Sequence, residues 1–85
     1  MPRISIFLGI VVYRYYDDHN PPHFHALYEG VEALFDMEGT LLRGDMTPRA
    51  QRLIKEWCLL HKVELLDNWN RAKEDKPLNW IEPLR

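Results

Sequence analysis

The sequence predicts an α+β domain: a small antiparallel β-meander of about four strands, then one long bent helix or two helices, then an extended C-terminal tail. Three observations point to it. Short runs rich in β-branched and aromatic residues follow one another from Ile10 to Arg43, each bounded by glycine, proline or acidic breaks. From Thr47 onward, apolar residues recur at helical spacing instead of alternating. Strands come first and helices afterwards, the order of an α+β chain and not of alternating βαβ units.

Ile4 to Leu8 is a short apolar run ending at Gly9, and Ile10 to Tyr16 reads as a strand between Gly9 and Asp17-Asp18. Asp17 to Pro22 reads as a rigid loop, because Pro21 and Pro22 have no N–H for a ladder and hold the preceding residues extended. Glu29-Gly30 separates His23–Tyr28 from Val31–Met37, and Glu38-Gly39 separates that run from Thr40–Arg43. Each pair reads as a two-residue hairpin turn, with glycine supplying positive φ. A two-residue turn at Glu29-Gly30 opposes Tyr28 to Val31, Ala26 to Ala33 and Phe24 to Phe35 on one apolar face. The other face then pairs Leu27 with Glu32, His25 with Leu34 and His23 with Asp36.

Thr47-Pro48 is a helix start, a hydroxyl cap followed by proline in the first turn. Ala50, Leu53, Ile54, Trp57 and Leu60 form one stripe; Leu65, Leu66, Trp69 and Ala72 form a second, rotated one. Leu59 and Val63 fit neither, which places a bend near Cys58–Lys62. Trp57 and Trp69 read as core anchors, His61 as a core-edge histidine, and Trp80 as a clamp on the tail Leu78–Leu84.

At 85 residues the chain is one domain, 1–85, with a thin core supported by ten aromatics, so a homodimer or a partner protein is expected. Cys58 is the only cysteine, which rules out an intrachain disulfide and a cysteine-rich zinc site. No signal-like or membrane-spanning segment is read, and the expected location is cytoplasmic. The net charge of -2 does not favour nucleic acid, since the basic residues Arg43, Arg49, Arg52, Lys55 and Lys62 are interspersed with acids.

Chemistry concentrates in HNPPHFH, His19–His25. Histidines two apart on a strand point the same way, so His23 and His25 converge; with His19 they form a candidate site for one divalent ion, zinc or nickel. Asp17, Asp18 or Asp36 would complete the shell. A metal-free alternative makes His23 an acid or base oriented by Asp36, with His25 beside it. Tyr13, Tyr15, Tyr16 or Arg14 would then stabilise developing negative charge. A third reading is non-catalytic: the loop is rigid and the histidines serve a recognition surface with Leu27 and Leu34. Cys58 reads as an inert core thiol.

The stretches YYDDHNPPHFHALYEG, RAQRLIKEWCLLHKVELLDNW and KPLNWIEPL resemble a bacterial family, domain-of-unknown-function family 4160, over nearly the whole chain. The resemblance implies a small cytosolic protein encoded beside another small protein, in a toxin–antitoxin-like pair. It carries over no catalytic assignment. The expected function is therefore an interaction protein of such a pair, acting through His19–His25 and the adjoining sheet face. The alternative is a histidine-based hydrolase or nuclease with His23 and Asp36 as its acid/base pair.

Overall fold

A computed structural model describes residues 2–16 and 18–84. Five strands, β1 (Arg3–Phe7), β2 (Ile10–Tyr13), β3 (His23–Tyr28), β4 (Val31–Asp36) and β5 (Leu41–Gly44), form one antiparallel sheet in sequential order. One helix, α1 (Pro48–Lys73), follows. The meander has one strand more than the expected four, because Arg3–Phe7 pairs with β2. Leu8 and Gly9 join them with φ of 49° and 83°, a hairpin turn that its leucine does not advertise.

The turn at Glu29-Gly30 is the two-residue turn expected, with positive φ at both residues, and the β3–β4 register runs from His23 opposite Asp36 to Tyr28 opposite Val31. The Glu38-Gly39 turn is longer than the pair suggested. Asp36 accepts the Gly39 N–H (3.1 Å) and gives its own N–H to the Thr40 carbonyl (3.0 Å), enclosing Met37–Gly39 as a three-residue loop. Gly39 is required twice: its φ is +83°, and a Cβ there would lie 2.6 Å from the Lys55 Cα of the helix.

Alternation on the central strand divides the molecule. Phe24 and Ala26, with Ile10 and Val12 of β2 and Ala33 and Phe35 of β4, are fully buried under α1. Phe24 stacks on Phe35 (5.8 Å) and meets the edge of Trp57 (5.9 Å), the helix anchor, so the aromatic core ties two strands to α1.

Thr47 caps the helix through Oγ1, which accepts the Ala50 N–H, and Pro48 fills the first turn. Ile54, Trp57 and Cys58 are buried before the bend, and Leu65, Asn68, Trp69 and Ala72 after it. The bend is at His61, whose φ and ψ of -125° and 26° leave the helical region. Leu60, expected on the buried stripe, is 66% exposed, because the bend ends that stripe at Cys58. His61 Nδ1 donates to the Glu64 carboxylate (2.7 Å) and its ring lies 5.9 Å from Trp57, a core-edge position.

The tail runs beside β1 and the helix. Ile81 gives its N–H to the Ile4 carbonyl (2.7 Å) and accepts the Ser5 hydroxyl (2.9 Å), while Trp57 Nε1 donates to the Glu82 carbonyl (2.9 Å). Asn68, buried in the helix, satisfies both ends of its amide on the Asn79 backbone (2.8 Å each). Ile81, fully buried, and Leu84 anchor the tail, whereas Trp80 is 55% exposed. Among the described residues no helix is long and apolar enough to cross a membrane.

Two consequences can be measured by urea unfolding. Phe24→Ala removes a ring touching Phe35 and Trp57 and should cost about 3–5 kcal/mol. Gly39→Ala should cost clearly more than Gly30→Ala: both carry the left-handed penalty of about 1–2 kcal/mol, but only Gly39 meets helix backbone. Equal losses at the two glycines would show that the turn does not press on α1.

Candidate functional site

Alternation places His23 and His25 on the face of β3 away from Phe24 and Ala26. That face is open in the middle of the sheet but covered at this end. After Tyr13 the chain leaves the sheet and folds back. The Arg14 Nε and a terminal guanidinium nitrogen donate to the Tyr15 carbonyl (3.2 and 3.0 Å), and the Tyr15 N–H donates to the Asp18 carboxylate (3.1 Å). Arg14 itself stacks over Trp69, 4.2 Å from the ring centroid. The helix thus holds Arg14, Arg14 holds Tyr15, and Tyr15 holds the Asp18 carboxylate above both imidazoles.

The resulting cluster is tight. Ligand atoms of Asp18, His23 and His25 all lie within 4.8 Å of one another. Asp18 is 3.5 Å from His23 Nε2 and 3.2 Å from His25 Nε2, and each side chain is about nine-tenths buried. His23 Nδ1 lies 2.8 Å from the Pro21 carbonyl. A carbonyl only accepts, so Nδ1 donates to it, and Nε2 is the ring nitrogen that faces Asp18. His25 is held between rings, stacked on Tyr13 (5.2 Å) and edge-on to Tyr15 (5.0 Å), and its Nδ1 is buried without a partner among the described residues.

The contact lengths are informative. A charge-assisted N–H···O bond closes to about 2.7–2.9 Å. Ligands held at about 2.0–2.1 Å around a tetrahedral ion are about 3.3 Å apart. The contacts of 3.2 and 3.5 Å match the second spacing better than the first.

The cluster forms one end of a cleft of about 700 Å³ whose other walls include His19, Asn20, Leu34, Leu42 and Arg43. His19 is exposed and outside the ligand group: it lies in the irregular loop, where no strand alternation directs it, and Asp18 takes the third position. Asp36 is opposite His23 in register, but its Oδ1 accepts the N–H groups of Glu38 and Thr40 (2.9 Å each), so its carboxylate is committed to the turn. The expected His23–Asp36 side-chain pair is replaced by His23–Asp18. Asp17 lies outside the described residues.

Arg14 was expected to face developing charge in the site; it is instead buried behind it. Burial lowers its ionisation from the ordinary guanidinium value, opposed by Asp18 and Tyr16. The signal was present in the sequence, since Ile10, Val12 and Arg14 share one parity and an arginine on a core face needs a structural partner. Cys58 is fully buried, and burial first, then Asp36, pushes its thiol up to about 12 against the opposing Lys55. It is no nucleophile.

The family described as Domain of unknown function (DUF4160) matches residues 9–70. The chain belongs to this family. No curated protein and no solved structure matches it. The DUF4160 match takes in β2 to β5, the covering loop, the histidine cluster and most of α1; β1 and the tail that pairs with it lie outside.

The Cys58 shift has a sign that can be checked. Its folded value lies above the ordinary 9.0, so the buried neutral thiol contributes stability that is fully present below about pH 9 and fades as pH rises toward 12. Wild type should therefore lose stability relative to Cys58→Ala between pH 8.5 and 10.5, as measured by urea midpoints. Iodoacetamide at pH 8 should label Cys58 only in the unfolded protein; rapid labelling of the native protein would contradict the burial.

Proposed function

We propose that this protein binds one divalent transition-metal ion, zinc or nickel, through Asp18, His23 and His25, and uses it for metal-assisted hydrolysis of a small substrate in the adjoining cleft. The observation that carries this reading is the convergence of three ligand atoms within 4.8 Å, with the Asp18 carboxylate 3.5 and 3.2 Å from the two Nε2 atoms, near the spacing of ligands around one ion. The Pro21 carbonyl supports it by fixing the His23 tautomer, as outer partners of metal-bound imidazoles do. Three protein ligands leave a position for water or substrate on the cleft side, where an ion polarises a bond or lowers the pKa of water. The cleft volume of about 700 Å³ suits a small molecule.

His25 sets the affinity. With Nε2 on the ion, its Nδ1–H has no acceptor among the described residues, at a cost of about 1–3 kcal/mol. Binding is therefore weaker than at closed four-ligand structural sites. Calorimetry with zinc on untagged protein should give one ion per chain, with affinity falling below about pH 6 as imidazole ligands protonate. Asp18→Asn, His23→Gln and His25→Gln should each weaken it about a hundredfold or more. His19→Gln and Asp36→Asn should leave it within about twofold, since neither carboxylate nor imidazole reaches the ion. Similar affinity in all five variants would sink the site.

A second reading, partnership in a cytoplasmic toxin–antitoxin-like pair, is supported by a separate observation. The tail lies along β1 and leaves the open sheet face uncovered, where Leu27 and Leu34 are half-buried and Ile6 and Leu42 are 40% and 47% exposed. The occupant on this reading is the neighbour-encoded small protein. Co-expressed with it, the chain should elute as a heteromer, and Leu27→Asp should return it to its own elution volume with zinc binding intact. Unchanged co-elution of Leu27→Asp would remove this face as the interface.

A further inference from the structure

The open face carries a cross-strand row with chemical polarity. Register aligns Tyr13, His25, Leu34 and Arg43, one residue from each of β2, β3, β4 and β5. Adjacent strands are about 4.8 Å apart, so the backbones of His25 and Arg43 are separated by about 10 Å, with Leu34 between them. Leu42, set off by the bulge in β5, is 47% exposed and adds a second apolar wall. Arg43 has no hydrogen bond or ion pair among the described residues, although the chain carries a net charge of -2. The cleft therefore offers ligating atoms at one end, leucine in the middle and an unpaired guanidinium at the other.

We infer that Arg43 is the specificity-determining residue of this cleft and that its substrate is a small organic carboxylate, whose carboxylate pairs with Arg43 while an apolar segment lies over Leu34 and Leu42. The opposite end of that substrate then presents its oxygen-bearing reactive group to Asp18, His23 and His25, so this inference rests on the metal-site reading above. Charge selects the class. One guanidinium matches one carboxylate in a bidentate pair, and Arg43 is the one Lys or Arg among the described residues that line the cleft. The leucines favour an aliphatic or aromatic spacer over a sugar.

The test uses simple probes on the zinc-loaded full chain. Linear dicarboxylates from glutarate to suberate are compared by calorimetry with monocarboxylates of the same carbon number. At the matching length the dicarboxylate should bind about tenfold tighter, the difference made by one charged hydrogen-bonded pair. Arg43→Gln should reduce that advantage to within about twofold, and Arg43→Lys should keep part of it, with zinc affinity unchanged in both. Circular dichroism confirms folding, which substitution of an exposed β5 side chain should not disturb. Equal binding of the two probe classes, or an advantage that survives Arg43→Gln, overturns the Arg43 inference and leaves the metal site standing. Failure of wild type to take up zinc overturns the metal reading, and this inference with it.

Discussion

β3 is paired along both edges, so its side chains have only two directions available: toward α1 or away from it. Phe24 and Ala26 take the helix side, and His23 and His25 take the other. A slip of one residue would exchange these sets, bury imidazoles under Trp57 and expose Phe24 to water. The hydrophobic demand of Phe24 thus fixes the histidines with the rigidity of a core residue, although they are not part of the core. Two chemically different requirements share one six-residue strand, and the apolar one enforces the polar one.

The covering loop completes what alternation begins. Strand geometry makes the two imidazoles neighbours, but it cannot bring a carboxylate to them from the same strand. Asp18 reaches them because Arg14, on the core face of β2's continuation, is anchored over Trp69 and holds the Tyr15 carbonyl while the Tyr15 N–H holds Asp18. Trp69 therefore serves both faces: it packs in the core, and its ring lies 5.5 Å from that of His23. A site carried on a loop is here positioned by a buried helix residue, which is how a thin domain obtains a fixed geometry without a larger scaffold.

What was legible in the sequence follows the reach of local rules. Glu29-Gly30 permits few backbone conformations, so the β3–β4 register and the shared face of His23 and His25 could be read directly. The same rules fail where geometry is not periodic. Asp18 was one of several acids near the histidines, and nothing in an Asp-His-Asn-Pro-Pro loop says which of them turns inward. Asp36 misled because register concerns backbones: its carboxylate beside a glycine turn finds the N–H groups of Glu38 and Thr40 nearer than His23. β1 was hidden by a turn whose first residue is Leu8, not asparagine or aspartate, and Leu60 by a helix bend that rotates its face outward.

The arrangement leaves several polar demands unmet in one small volume. His25 Nδ1 and one terminal nitrogen of Arg14 are buried without partners among the described residues, and Asp18 meets two imidazoles at distances longer than a strong ion pair. Each costs stability in a domain with little to spare. Apolar residues at His23 and His25 would pack the same space at lower cost, so folding alone does not account for them. Local conflicts of this kind gather where a protein must meet something other than itself. A cation among Asp18, His23 and His25 would relieve the two long Asp18–imidazole contacts directly, by giving each of the three side chains a short bond of its own. It would not relieve His25 Nδ1, which faces neither the ligand group nor an acceptor. On the proposed reading, an ion there would be held by three ligands on a site left incomplete on its cleft side, the condition for an ion to act on a third molecule and not merely to brace the fold.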